Sequence, residues 1–242
     1  MSDPLPRLGG LPEAEKYERL VDRLPGLWWS DTGPFVGLHE LNVARVAYFR
    51  HVFGGFAGKR TLDVGCGGGI LAEALAAQGA VVTGIDPSEK SLAAARAHAE
   101  RSGLTIDYRP GTAERLGSAG LAGTFDLVFA VDVLEHVDDL ERTLAGVAAV
   151  LAPGGGLGFL THNRTIAAFL ALVWDEEYVQ HTMPEGFHDF RRFITPAELS
   201  AGLARNGMVV QEMQGVTRAP GGGRALGDDL SVTYLGWALR TR

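Results

Sequence analysis

An α/β fold built on a doubly wound, largely parallel sheet is predicted by three observations. Apolar, β-branched stretches alternate with helix-periodic stretches, the spacing that parallel β-α-β units produce. The first of these, Thr61-Leu62-Asp63-Val64, runs directly into Gly65-Cys66-Gly67-Gly68-Gly69, and the good helix former Leu71–Ala76 follows. That order reads as strand, tight turn and helix, the turn from which a nucleoside site is usually built. Finally, Phe125–Ala130 is apolar at almost every position, as a strand covered on both faces must be.

In chain order, residues 1–12 read as a flexible arm, and 13–242 as one domain. Within the domain, 13–57 is a helical segment, 58–161 a cofactor-binding core, 162–193 an insert and 194–242 a helix with a hairpin. Glu13–Leu24 spaces Tyr17, Leu20, Val21 and Leu24 at helical intervals and ends at Pro25-Gly26. The aromatic stretch 27–35 follows, then a helix over Leu38–Phe53. A polar and aromatic segment in front of the first strand fits a lid over a ligand, and equally a helix packed on the sheet edge. Ala80–Ile85, Ile106–Arg109 and Leu157–Thr161 read as further strands, with helices over Glu89–Ser102 and Leu140–Leu151 between them. Thr195-Pro196-Ala197-Glu198 is a capping box with proline in the first turn. Met208–Val216 and Leu230–Leu239 alternate like paired strands joined by a flexible loop around Gly221–Gly223. They complete a Rossmann-like, seven-stranded sheet whose last strand is antiparallel.

The turn also selects its ligand. The second strand ends on Asp86 and Pro87, roughly twenty residues after Gly65, where a carboxylate can accept both hydroxyls of a ribose. The dinucleotide fingerprint needs a further glycine where Ile70 stands, and no Gly-Lys-Ser/Thr follows to cradle phosphates. A ribose site without phosphate chemistry suits S-adenosylmethionine. Gly65, Cys66 and Gly67 then line its loop, Glu114 lies beside the adenine and Val131 closes the fourth strand against it. The plain alternative is a glycine turn present only for close helix–strand packing.

Asp132, Glu135 and His136 follow the fourth strand at i, i+3 and i+4, so a helix beginning at Asp132 would put them on one face. Two carboxylates and an imidazole suit Mg2+ or another hard-to-intermediate divalent ion, which would hold adjacent phenol oxygens and lower their pKa. The same Asp-x-x-Glu is also a capping box, under which His136 is a general base or a structural donor. The insert 162–193 combines the apolar run Ile166–Trp174, Asp175-Glu176-Glu177 and a loop carrying His181, Phe187 and His188, a second candidate base. Overhanging the crevice, residues 166–184 could bind a small hydrophobic substrate, touch a membrane surface as a peripheral contact, or cover the sheet.

A net charge of −7 disfavours a nucleic-acid partner, and Cys66 as the only cysteine excludes an intrachain disulfide and a cysteine-based zinc cluster. The first ten residues lack the apolar stretch of a signal peptide, and no apolar run is long enough for a membrane span. The expected location is the cytoplasm. Oligomeric state leaves no mark on the sequence.

Leu62–Glu73 resembles the ubiquinone-biosynthesis O-methyltransferases, class I S-adenosylmethionine-dependent enzymes that methylate polyprenylated catechols and phenols. The resemblance extends over residues 15–240. It includes Trp28-Trp29, Leu38-His39 and Asn42-x-x-Arg45, then Leu134–Val137, Asn163-Arg164 and Glu177-Tyr178. Pro184-x-Gly186-x-His188-Asp189 and Phe193-Ile194-x-Pro196-x-Glu198-Leu199 carry it further. It implies cofactor contacts at Arg45, Gly65, Asp86 and Val131, metal ligands at Asp132, Glu135 and His136, and lipid association of the insert. Two positions depart from the family pattern: Asp132 replaces the usual glutamate, and His162 stands where an apolar residue is usual. The resulting expectation is methyl transfer to a phenolic or catechol hydroxyl of a 3-demethylubiquinol-type precursor. The alternatives are a methyltransferase for a soluble phenol, amine or acid, and a cofactor-binding protein without catalysis.

Overall fold

The computed structural model describes residues 5–24, 26–116, 120–219 and 223–241. Eight strands form one sheet in the order β3-β2-β1-β4-β5-β8-β6-β7. The first five are β1 Arg60–Val64, β2 Val81–Asp86, β3 Asp107–Pro110, β4 Phe125–Val131 and β5 Leu151–His162, and they run parallel. β6 Met208–Arg218, β7 Arg224–Gly227 and β8 Thr233–Arg240 add to β5 through antiparallel pairings. Strand order reverses between β1 and β4, so the crevice at the carboxyl ends of these two strands is where such a sheet receives ligands.

The alternation of side chains along each strand divides the core between the two faces. Val128 and Ala130 of β4 face a cluster that includes Leu144 and Val147 of α6, Leu140–Val150, and Leu199 and Leu203 of α8, Pro196–Arg205. Leu127, Phe129 and Val131 face the opposite cluster. That cluster contains Phe49 of α2 (Val36–Val52), Leu71 and Leu75 of α3 (Ile70–Ala76) and Leu92 of α4 (Glu89–Arg101). The capping box forms as predicted, with the Thr195 side chain accepting from the Glu198 amide and Glu198 accepting from the Thr195 amide.

Three expectations change, and one falls largely outside the described residues. The sheet has eight strands instead of seven, because β6 outruns β8 and its far end, Gly215–Arg218, pairs with the short β7. The expected flexible loop around Gly221–Gly223 lies outside the described residues at Gly221 and Gly222. The expected arm is docked from Leu8 onward: this side chain is fully buried and its amide donates to Glu185 O at 2.8 Å. Residues 1–4 of the arm lie outside the described residues. The helix expected over Ile166–Trp174 is a single α turn, Ile166–Ala168, that opens into a wide π-type helix over Phe169–Val179. The insert helix therefore continues through the acidic run, and its closing bond runs from the Gln180 amide to Asp175 O.

Candidate active site

A cavity of about 640 Å³ occupies the crevice at the end of β1 and β4. Its wall contains Arg45, Gly65, Cys66, Asp86, Pro87, Glu114 and Val131, together with Asp132, Glu135, His136 and His188. Gly67 contributes through Asp86: its amide donates to Asp86 Oδ2 at 2.9 Å, while the Ser88 amide donates to Oδ1 at 2.8 Å. Each carboxylate oxygen keeps a second lone pair for a ligand diol. Burial pushes the Asp86 carboxyl upward, and these two amides oppose the shift. The Cys66 thiol is likewise pushed up by burial, so it serves as a small apolar wall group.

The glycines also make room for a lid. An added Cβ would lie 2.4 Å from the Trp28 ring at Gly67 and 2.1 Å from Trp28 Cγ at Gly68. At Gly67 and Gly68 the close contact is with Trp28 of the lid, not the helix–strand packing of the plain alternative. Trp28 stacks on Tyr17 of α1, Glu13–Arg23, at 6.1 Å, and the Trp29 indole N–H donates to Gly68 O at 2.9 Å. Lys16 Nζ, on the same helix, donates to Phe187 O at 2.9 Å across the opening. Of the two roles expected for 13–57, α1 and the Trp28 turn form the lid, while α2 packs Phe49 on Phe129 of the sheet and turns Arg45 toward the cavity. Gly68→Ala is expected to lower stability by about 1–3 kcal/mol through collision with Trp28. Thermal denaturation checks this, and Gly68→Ala with Trp28→Ala should lose less than the two single changes added together.

Asp132 adopts φ +54°, an uncommon conformation for a residue with a side chain. It therefore does not begin a helix; the following turn is a short 3-10 segment, Leu134–His136. Asp132 Oδ2 accepts from Arg45 Nη1 at 2.7 Å, and Arg45 Nε donates to Asn42 Oδ1. The expected one-face arrangement at i, i+3 and i+4 is consequently not formed. His136 Nδ1 lies 2.9 Å from Glu13 Oε2 of the lid. The imidazole brought to the two carboxylates is that of His162: one ligand atom each from Asp132, Glu135 and His162 lies within 4.8 Å of the others. Glu135 is 2% exposed and is pushed up by burial, with one oxygen accepting from the Thr161 hydroxyl at 2.6 Å. Its Oε1 has no hydrogen-bond partner among the described residues. A buried orphan carboxylate oxygen beside a second carboxylate and an imidazole fits a divalent cation.

His188 is oriented differently. Its Nδ1 donates to Glu177 Oε1 at 3.0 Å, and both Glu177 oxygens also accept backbone amides, from His188 and Gly186. Glu177 is therefore committed as an acceptor, which puts the proton on Nδ1 of His188 and leaves Nε2 as the basic atom. Burial pushes His188 below the ordinary imidazole value.

Two groups, Asp63 on the wall and Glu177 behind His188, were given no site role from the sequence. Asp63 is 3% exposed and lines the cavity, and its Oδ2 has no hydrogen-bond partner among the described residues. Burial pushes its carboxyl up to about 7, against the pull of Arg45. An acid inside an otherwise apolar strand is the signal that would have found it. Glu177 gave no such signal, because its partners lie beyond a loop.

One cavity thus combines a glycine turn and its carboxylate with a cluster of acids and imidazoles. The family described as "Methyltransferase domain" matches residues 62–159. A ubiquinone biosynthesis O-methyltransferase of Aromatoleum aromaticum is 42% identical over 224 residues, 92% of this chain and 93% of its own. One of Nitrosococcus oceani is 42% identical over 229 residues, 94% of each chain. The chain belongs to the ubiquinone biosynthesis O-methyltransferase family. It is an S-adenosylmethionine-dependent O-methyltransferase. The magnesium protoporphyrin IX methyltransferase of Synechocystis PCC 6803 with bound SAM shares the fold, with TM-score 0.65 at 18% identity over 97% of this chain and 100% of that one. A SAM-dependent methyltransferase of Thermotoga maritima does so at TM-score 0.62 and 20% identity, over 94% and 95%. Among the described residues, no helix is long and apolar enough to cross a membrane.

Proposed function

We propose that this methyltransferase acts on a phenolic or catechol hydroxyl of a polyprenylated quinone precursor. The observation that carries the reading is the shared cavity, whose wall holds Asp86 together with Asp132, Glu135 and His188. The relatives' role in ubiquinone biosynthesis supports the acceptor class.

S-adenosylmethionine supplies a methyl group on a sulfonium, a good leaving group, so the protein's task is alignment and exclusion of water. Asp86 holds the ribose diol, with Pro87, Glu114 and Val131 on the walls around the nucleoside. Arg45 and Asp63, both buried, face the zwitterionic amino-acid end. Carboxylates at 63, 86, 132 and 135 favour the cationic donor over its neutral thioether product. Mg2+ held by Asp132 and Glu135 would bind adjacent phenol oxygens and lower their pKa. His188 accepts the hydroxyl proton at Nε2, held in position by Glu177. The lid residues Trp28, Tyr17 and Phe187 keep water from the reacting atoms.

The acceptor enters beneath the insert. Ile166, Leu170, Trp174 and Val179 expose large apolar side chains, with Ile166 at 78% and Val179 at 55% exposure. These groups dip into a bilayer surface, from which a prenylated acceptor is drawn. Trp174→Glu is expected to reduce co-sedimentation with phospholipid vesicles severalfold while sparing methylation of a short-chain catechol. Unchanged co-sedimentation would remove the contact.

The deciding experiment is methyl transfer from labelled S-adenosylmethionine to catechols and monophenols, with Mg2+ or with chelator. Catechols with a prenyl tail should be the better acceptors, and activity lost to chelator should return with Mg2+. Glu135→Gln should lower turnover about 100-fold while leaving cofactor affinity within twofold. Transfer only to soluble phenols, amines or acids would replace the acceptor proposed here. Full activity in chelator would remove the metal.

A further inference from the structure

The two oxygens of the Glu135 carboxylate have unequal surroundings. Oε2 accepts from Thr161, whereas the buried Oε1 has no hydrogen-bond partner among the described residues. His162 Nε2, at the end of β5, lies 3.5 Å from this orphan oxygen but makes no hydrogen bond with it. The other ring nitrogen of His162, Nδ1, is 3.0 Å from Thr233 Oγ1 on β8. A separation of 3.5 Å is long for a hydrogen bond, and a proton on Nδ1, donated to Thr233 Oγ1, would turn the Nε2 lone pair toward Oε1. The lone pair of Nε2 and a carboxylate oxygen then face one another in a site shielded from water. That arrangement is costly unless a cation lies between them. Asp132 stands within the same 4.8 Å grouping, with Arg45 bound to only one of its oxygens. The Thr233 contact is what a ligating imidazole requires of its second nitrogen, which fixes tautomer and ring orientation. His136 is also held through Nδ1, by Glu13 of the lid, with its ring edge-on against Tyr17 and Phe187. What separates the two is that His162, and not His136, joins the 4.8 Å grouping with both carboxylates among the described residues.

We infer that His162 supplies the imidazole donor to the cation held by Asp132 and Glu135, in place of His136. The inference rests on the reading that this pocket binds a divalent ion, and it specifies the ion's chemistry. A nitrogen donor beside two carboxylates moves preference away from Mg2+, an ion suited to oxygen, toward Mn2+, Co2+ or Zn2+. The site should bind Mn2+ more tightly than Mg2+ because of this one residue.

The test is titration of the full chain with Mn2+, followed by electron paramagnetic resonance, together with spin-echo detection of directly bound 14N. Wild-type protein should show saturable binding and the nitrogen modulation of one imidazole. His162→Leu should abolish the modulation, weaken Mn2+ binding by about tenfold or more, and shrink the Mn2+ over Mg2+ preference. His136→Phe should preserve modulation and affinity. Thr233→Val removes only the hydroxyl that orients the ring, and should weaken binding about tenfold even if His162→Leu proves poorly folded. Modulation that survives in His162→Leu and disappears in His136→Phe would overturn the assignment. So would saturable Mn2+ binding with no nitrogen modulation in wild type, which leaves a carboxylate-only metal site standing. No saturable binding of Mn2+ or Mg2+ would remove the metal reading itself.

Discussion

Asp86→Ala is expected to raise the dissociation constant for S-adenosylmethionine by about 100-fold or more. Both oxygens of Asp86 already accept a backbone amide, so the carboxylate is fixed before any ligand arrives. The two ribose hydroxyls then donate to a preset acceptor pair, and each charge-assisted bond contributes about 1.5–3 kcal/mol. At roughly 1.4 kcal/mol per factor of ten, two such bonds account for the expected loss. Asp86→Asn keeps the shape and one acceptor, and should fall between wild type and alanine. Calorimetric titration reads the affinity, and circular dichroism shows whether the sheet is intact. An unchanged affinity in folded Asp86→Ala would mean that the ribose lies elsewhere.

His188→Gln should reduce kcat by about 100- to 10,000-fold, the range of a lost general base, with cofactor affinity within twofold of wild type. The expectation depends on Glu177, which fixes the tautomer by accepting from Nδ1 and is itself held by two amides. Burial lowers the His188 pKa, so the working neutral form is already present at pH 7. Activity should therefore be level through neutrality and decline only as pH falls below the ordinary imidazole value of about 6.5. A His188→Gln enzyme that keeps its turnover would transfer the proton-accepting role to another group.

How much of this was readable in advance depends on the range of the interactions. Gly65–Gly69 and Asp86 were legible because a parallel sheet brings the ends of neighbouring strands together whatever the rest of the chain does. Thr195–Glu198 was legible because both capping bonds close within four residues. Asp132 misled because the i, i+3, i+4 pattern presumes a helix, whereas its backbone turns at φ +54° where Arg45 holds the side chain from α2. The short β7 was missed because four residues, Arg-Ala-Leu-Gly, have no strand pattern of their own and pair only with the overhanging end of β6.

By itself, then, the sequence determined most of the sheet and the nucleoside turn, through local periodicity and fixed spacing, and the methyltransferase family, through its resemblance. All the site residues it named except Gly67 lie on the cavity wall. Tertiary structure alone decided what those residues do to one another. It placed Trp28 on the glycines, Glu13 on His136, Glu177 behind His188 and Thr233 behind His162. Three of these four pairs lie dozens to more than a hundred positions apart, and the fourth is joined across a loop. Their contacts follow from lid closure, the docked insert and the β5–β8 pairing, and linear spacing has no term for any of these.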